Sequence, residues 1–282
     1  MAKAKYETLQ IEMGHGVAIV WMNRPEVRNA FNEAMIAELT GVFRALDADA
    51  DVRAVVLAGR GPAFCAGADL NWMKKMAGFS FQENRSDALR LAEMLDALAT
   101  LSKPVIARVH GPAFAGGVGL LAACDIAVAA QNAEFCLSET KLGLIPAVVS
   151  PYVLAAMGER AAHRYFLTAE RFDAAEAYRI GLVQELVLPD ELDAKINELL
   201  GHLIEASPQA VSAGKALIRA VAGRPIDAAL VGDTATRIAK ARASVEGKEG
   251  VRSFLEKRKP AWHPDAPKPA PARAPAKRAK KT

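Results

Sequence analysis
The alternation of apolar and polar positions changes period several times along the chain. Residues 7–12 alternate polar with apolar positions and residues 17–22 form an apolar run, the two separated by Gly14 and Gly16, the pattern of two strands joined by a tight reversal. From Asn32 the spacing lengthens: Met35, Ile36, Leu39, Val42, Phe43 and Leu46 recur at i, i+3, i+4 and i+7, which predicts a helix with one buried face. Residues 53–58 (RAVVLA) and 104–109 (PVIARV) are continuous apolar runs rich in β-branched residues, the mark of strands buried on both faces, and 125–129 (DIAVA) is a weaker third. Between the first two lies a predicted helix over 81–101, with Leu89, Met94, Leu95 and Leu98 on one face. Strands alternating with crossover helices predict an α/β fold with parallel pairing. After about Pro189 only helical spacing remains, punctuated by Ser207-Pro208, Gly223 and Gly247. The expected division is a core over 1–188, a helical region over 189–260 and a tail over 261–282, without internal repeats.

Charge changes the reading of that tail. The net charge of +4 suggests a polyanion partner, but residues 257–282 hold nine Lys/Arg against one Asp, leaving 27 basic and 31 acidic side chains elsewhere. The basic excess therefore belongs to the tail, which also carries six of the fifteen prolines and almost nothing to bury. It is expected to be disordered and chiefly solubilising, with weak, salt-sensitive polyanion contact as the alternative. Nucleic acid is not expected as a partner. The longest apolar stretch, residues 111–124, is 14 residues and glycine-rich, against roughly 20 for a membrane span. No membrane helix is expected, and the N-terminal residues lack a signal-peptide pattern. Three cysteines, Cys65, Cys124 and Cys136, without CxxC spacing speak against a disulfide framework or a zinc site. A cytoplasmic location is expected.

Two glycine-containing turns sit where strands hand over to helices. Residues 60–69 (RGPAFCAGAD) follow the first buried strand, and residues 110–119 (HGPAFAGGVG) follow the second. A chain reversing into a helix leaves its first N–H groups without carbonyl partners, and small residues let a ligand approach them. Two such turns side by side would aim two amides at one oxygen, an arrangement worth about 3–4 kcal/mol per donor to a transition state with charge on a carbonyl oxygen. Taken singly, each turn is more often just tight packing. Neither matches a phosphate-binding glycine motif.

The ordered set RPEVRNAF (24–31), AFCAGADL (63–70), HGPAFAGGVGLLAACDIAVA (110–129), SETKLGLIP (138–146) and AERFDAAEAYRIGLV (169–183) resembles the enoyl-CoA hydratase/isomerase family, the crotonases, over roughly residues 5–260. The resemblance implies a crotonase-like spiral of ββα units with a C-terminal helical trimerisation region, assembled as a homo-trimer or a dimer of trimers. By motif position it puts the oxyanion amides on Ala68 and Gly116, and the CoA adenine slot on the backbone around Ala66, Asp69 and Leu70. Arg28 falls where relatives place a basic residue near the CoA phosphates; read without the family it is equally an exposed cation. The substrate is then an acyl-CoA thioester. No cofactor is needed, since CoA is part of the substrate.

Family hydratases carry two glutamates about twenty residues apart. Here the second is Glu139, and the first position, counted among the substrate-contacting residues, is Gly119. One carboxylate suffices for a 3,2-enoyl-CoA isomerase, and for hydration if one water supplies both hydroxyl and proton. Glu139 is expected to be partly buried against Leu142, Leu144 and Trp72, with a raised pKa. Neither Cys65 nor Cys136 has a histidine spaced as a partner base. The five histidines (His15, His110, His163, His202, His263) lack metal-ligand spacing, and Asp125 reads as a structural acceptor.

Residues 67–80, the GGVGLLAACDIA segment and residues 142–153 look like bacterial 3-methylglutaconyl-CoA hydratases of leucine breakdown. A distal carboxylate on such a substrate would want a cation, for which Lys74, Lys75, Arg108 and Lys141 are candidates. The expectation is an enoyl-CoA hydratase of that type. The alternatives are the isomerase, or a non-catalytic acyl-CoA or RNA-binding protein using the basic tail.

Overall fold
The computed structural model describes residues 6–266. The chain opens with β1 (Leu9–Gly14) and β2 (Val17–Met22), an antiparallel hairpin in which Gly14 pairs with Val17. His15 at φ +50° and Gly16 at φ +78° close it. A two-residue turn whose twist matches its strands needs positive φ at both positions. Next comes α1 (Glu33–Ala48), in which Asn32 Oδ1 accepts the Met35 N–H at 2.9 Å. Its buried residues are the six that the spacing predicts. The core continues through β3 (Ala54–Gly59), α2 (Leu70–Met76), α3 (Phe81–Thr100), β4 (Val105–Val109), β5 (Ala113–Phe114), α4 (Gly116–Ala123), β6 (Ile126–Ala130) and β7 (Glu134–Cys136). Then follow α5 (Ser150–Thr168), β8 (Phe172–Asp173), α6 (Ala174–Arg179), β9 (Glu185–Val187), α7 (Leu192–Glu205), α8 (Pro208–Val221), α9 (Ala228–Ala243) and α10 (Val245–Leu255).

The main sheet has the order β1-β2-β3-β4-β6-β9, parallel from β2 onward. Every residue of β3 is buried, as an unbroken apolar run requires. One face, with Val55, Leu57, Val105 and Ala107, meets α1, α3, α4 and α5 in the larger core. The other, with Val56, Ile106 and Val128, is covered by Leu192 and Ile196 of α7. Residues beyond 188 therefore complete the sheet's second layer. In α3 the buried side chains include Met94, Leu95 and Leu98, but Leu89, expected on the same face, is 45% exposed. Its half of the helix carries mostly exposed residues, and the helical period alone does not say where along a helix the packing stops.

A second sheet, β5-β7-β8, lies beside the first. Two isolated bridges extend it: Cys65 pairs with Ala113, and Phe31 with Ala68. This ribbon joins both glycine turns to the RPEVRNAF segment.

The disorder expected from residue 261 does not hold for the first six residues of the tail. Residues 261–266 pack back on the body: Trp262 Nε1 donates to the Glu205 carbonyl at 3.1 Å, Arg53 donates to the Trp262 carbonyl at 3.0 Å, and His263 is buried. An indole and an imidazole supply what the Pro/Ala/Lys composition lacks. The remainder of the tail, 267–282, lies outside the described residues.

Candidate active site
The first turn is held by a network rooted in the RPEVRNAF segment. Asn29 is fully buried; its Nδ2 donates to the carbonyls of Arg60 and Ala63, both at 2.9 Å, and its Oδ1 accepts the Arg24 N–H. Arg24 donates to the Ala30 carbonyl at 2.6 Å and to Asp69 Oδ2 at 2.9 Å. The other Asp69 oxygen caps α2, accepting the Asn71 and Trp72 N–H groups. Burial alone would raise the Asp69 pKa, but Arg24 and the two amides outweigh it and hold it below the usual carboxylate range. The Asp69 side chain is thus committed to the fold, and only its backbone can meet a ligand.

The backbone then sets the amides. Phe31 N–H donates to the Gly67 carbonyl at 2.7 Å, and Asp69 N–H donates to the Phe31 carbonyl at 2.8 Å. In a parallel bridge the central residue's own N–H points the other way, so the Ala68 amide faces the side of the second turn. That turn is in contact: a Cβ on Gly67 would lie 3.1 Å from both Ala115 Cβ and the Phe114 carbonyl oxygen. His110 Nε2 lies 2.9 Å from the Gly61 carbonyl, a second tie between the turns, while burial lowers the His110 pKa. Ala115 has φ +48° and ψ −116°, a conformation costing about 1–3 kcal/mol in a residue other than glycine. Its N–H is spent on the Cys136 carbonyl at 2.7 Å, and the chain swings directly into α4. Among the described residues, the N–H groups of Ala68 and Gly116 have no acceptor. Both residues are half-exposed. Gly116 is glycine for a packing reason: a Cβ there would meet the Phe31 ring at 2.8 Å.

Glu139 arrives from β7, three residues on, and opens a short 3-10 turn (Glu139–Leu142). The turn closes through Gly143 at φ +71°, and the Leu144 N–H donates to the Glu139 carbonyl at 3.0 Å. The side chain is half-buried. Its Oε2 is out of contact with solvent and accepts no hydrogen bond, and burial raises its pKa above the ordinary glutamate range. Leu142 and Leu144, expected to bury it, are instead 60% and 53% exposed. A residue's place in a tight turn, not its distance along the chain, decides what it covers.

The other expected site residues divide. Leu70 is 74% exposed, and the Ala66 N–H is spent on the Arg28 carbonyl at 3.0 Å. Arg28 is exposed with φ +53°, so its side chain is available to solvent anions while its carbonyl holds the first turn. Gly119, expected to contact substrate, is buried with its Cα against Val149 and has no surface to offer. Of the four candidate cations, Arg108 is held bidentately by Asp193 of α7 at 2.6 and 3.0 Å, and Lys75 donates to Glu33 at 2.5 Å. Lys74 and Lys141 are exposed and make no ion pair among the described residues. Cys65 is fully buried with its pKa pushed up to about 12, and burial raises Cys136 too, so both stay thiols. Asp125 accepts the Val105 N–H at 2.7 Å and the Lys215 ammonium at 2.6 Å, docking α8 to the sheet. Sequence reasoning missed Arg24, Asn29 and Val149. The first two stood in a quoted motif, and their polar side chains beside a proline turn were the available signal. Among the described residues no three His, Cys, Asp or Glu side chains gather to hold a metal.

Among the described residues, the amides of Ala68 and Gly116 thus stand without acceptors on two adjoining turns, and the half-buried Glu139 lies on the loop after β7. The chain belongs to the enoyl-CoA hydratase/isomerase family, whose model matches residues 12–265. The crotonyl-CoA hydratase of Syntrophomonas wolfei is 32% identical over 256 residues, covering 90% of this chain and 97% of that protein. The short-chain-enoyl-CoA hydratase of Clostridium acetobutylicum is 34% identical over 245 residues, with 86% and 92% covered. The solved structure of an enoyl-CoA hydratase from Shewanella pealeana superposes with a TM-score of 0.89 at 43% identity, covering 92% of this chain and 97% of that one.

Proposed function
We propose that this protein is an enoyl-CoA hydratase that adds water across the 2,3-double bond of an acyl-CoA thioester with Glu139 as its one acid-base group. The observation that carries the reading is the unpartnered pair of amides at Ala68 and Gly116 on adjoining turns, with the solvent-shielded Glu139 oxygen on the loop after β7. Both amides donate to the thioester oxygen and bind it more tightly as it gains enolate charge. Glu139 takes a proton from water as the water oxygen bonds to C3 and the double-bond electrons move toward the thioester oxygen. The same carboxyl then returns the proton to C2 as the enolate collapses, so one water is added and the enzyme is restored. The named activities of the Syntrophomonas and Clostridium relatives support hydration.

The preferred substrate in this reading is 3-methylglutaconyl-CoA, in leucine breakdown, with Lys74 or Lys141 meeting its distal carboxylate. The protein works in the cytoplasm as a homo-trimer or a dimer of trimers. Exposed apolar side chains on α10, among them Val251, Phe254 and Leu255, support an assembly through the C-terminal helices. The 3,2-enoyl-CoA isomerase stays the second reading, because one carboxylate also serves a proton shuttle and position 119 carries none. A panel of acyl-CoA thioesters with and without a distal carboxylate tests this. Loss of conjugated enoyl-thioester absorbance marks hydration, and its appearance from a 3-enoyl-CoA marks isomerisation. Turnover of neither sinks both readings.

A further inference from the structure
Gly119 stands one helical turn beyond Gly116 on α4, and residues three apart share a helix face. A Cβ on Gly116 would meet the Phe31 ring, whereas a Cβ on Gly119 would point at the residue just before α5. A side chain from another element closes that position. A Cβ built on Gly119 would lie 2.6 Å from Val149 Cβ and nearer still to its Cγ1. Val149 is 4% exposed and belongs to the main core. It is pinned at the start of α5: its carbonyl accepts the N–H groups of Tyr152 and Val153, both at 3.1 Å, and Pro151 follows in the first turn. A β-branched side chain on so fixed a backbone has few rotamers to retreat into. The loop that ends at Val149 begins at Glu139, so one segment supplies both the acid and the plug.

We infer that Val149 determines the one-carboxylate character of this site. Its isopropyl group fills the space into which any side chain at 119 would project, so Gly119 and Val149 form a matched pair and Glu139 is left without a second acid. The chemical half of this inference rests on the functional reading above; the packing half does not. Alanine in place of glycine ordinarily strengthens a helix, which makes Gly119→Ala in the full chain a direct probe. Overpacking should lower its Tm by about 3–10 °C, and Val149→Ala should lower Tm through a cavity. The two losses should not add, the double variant melting at or above Gly119→Ala alone. A Gly119→Ala protein as stable as wild type, or strictly additive losses, overturns the pairing.

For the chemistry, Gly119→Glu alone should be poorly folded, while Gly119→Glu/Val149→Gly should fold and show a second ionisation in its pH-rate profile. A folded double variant whose profile matches wild type overturns the assignment of Val149 to acid exclusion. If wild type turns over no enoyl-CoA at all, the functional reading fails, and the melting cycle still decides the pair.

Discussion
Glu139 carries a cost in the folded protein, because its ionised form is buried without a donor for Oε2. Its pKa is raised on folding, so the penalty applies at pH above the folded-state value and disappears below the ordinary glutamate range. Stability should therefore fall as pH rises through that interval. Glu139→Gln should flatten this dependence and raise Tm at neutral pH while lowering kcat by about 10²–10⁴. Thermal melts at several pH values beside an absorbance assay check both, and an unchanged kcat would remove Glu139 from the reaction. Wild-type activity should rise with pH through an apparent pKa above that of a free glutamate, as a group acting first as a base requires.

The elements bring the two glycine turns together through contacts that no single segment contains. Arg24 reaches from the loop after β2 to Asp69, which in turn caps α2 and lies beside the Ala68 amide. Arg24→Ala leaves a nearly buried carboxylate without its cation. It should cost about 2–3 kcal/mol, on the low side for a buried pair because Arg24 is 17% exposed. Since folding depresses the Asp69 pKa, the pair's stabilisation is present at neutral pH and is lost as pH falls through and below the usual aspartate range. Denaturant melts at neutral and acidic pH should show wild type approaching Arg24→Ala as the acid titrates. Because the strained Ala115 and the Phe31 contact at Gly116 hold the second donor, kcat should suffer more than KM in Arg24→Ala.

Over the whole molecule, the C-terminal segment contributes in two ways. Truncation after residue 266 should leave turnover intact. Truncation after residue 260 removes the Trp262 carbonyl from Arg53 and the indole N–H from Glu205, and differential scanning should find it several degrees less stable, about 1–2 kcal/mol at 2–4 °C per kcal/mol. Equal melting of the two truncations would show that residues 261–266 hold nothing. On α10, Phe254→Glu should shift the species seen by light scattering toward monomer if the exposed apolar face joins subunits, and leave the mass unchanged if it does not.

Much of this was legible along the chain. The i, i+3, i+4 spacing specified the buried face of α1, and the continuous apolar runs specified β3 and β4, because period and burial are local properties of a helix or strand. The two glycine turns stood out because glycine and proline at element ends are local signals as well, whereas Glu139 was singled out only through the resemblance to the family. What the chain order left undecided was contact between distant segments: where along α3 packing stops, that Arg24 and not a ligand takes Asp69, that residues 261–266 return to the body, and that Val149 stands over Gly119. A glycine announces that a side chain is absent, and only the folded neighbour says what fills the space. The tertiary structure decides this because close packing allows one group per volume, and the group that wins can come from anywhere in the sequence.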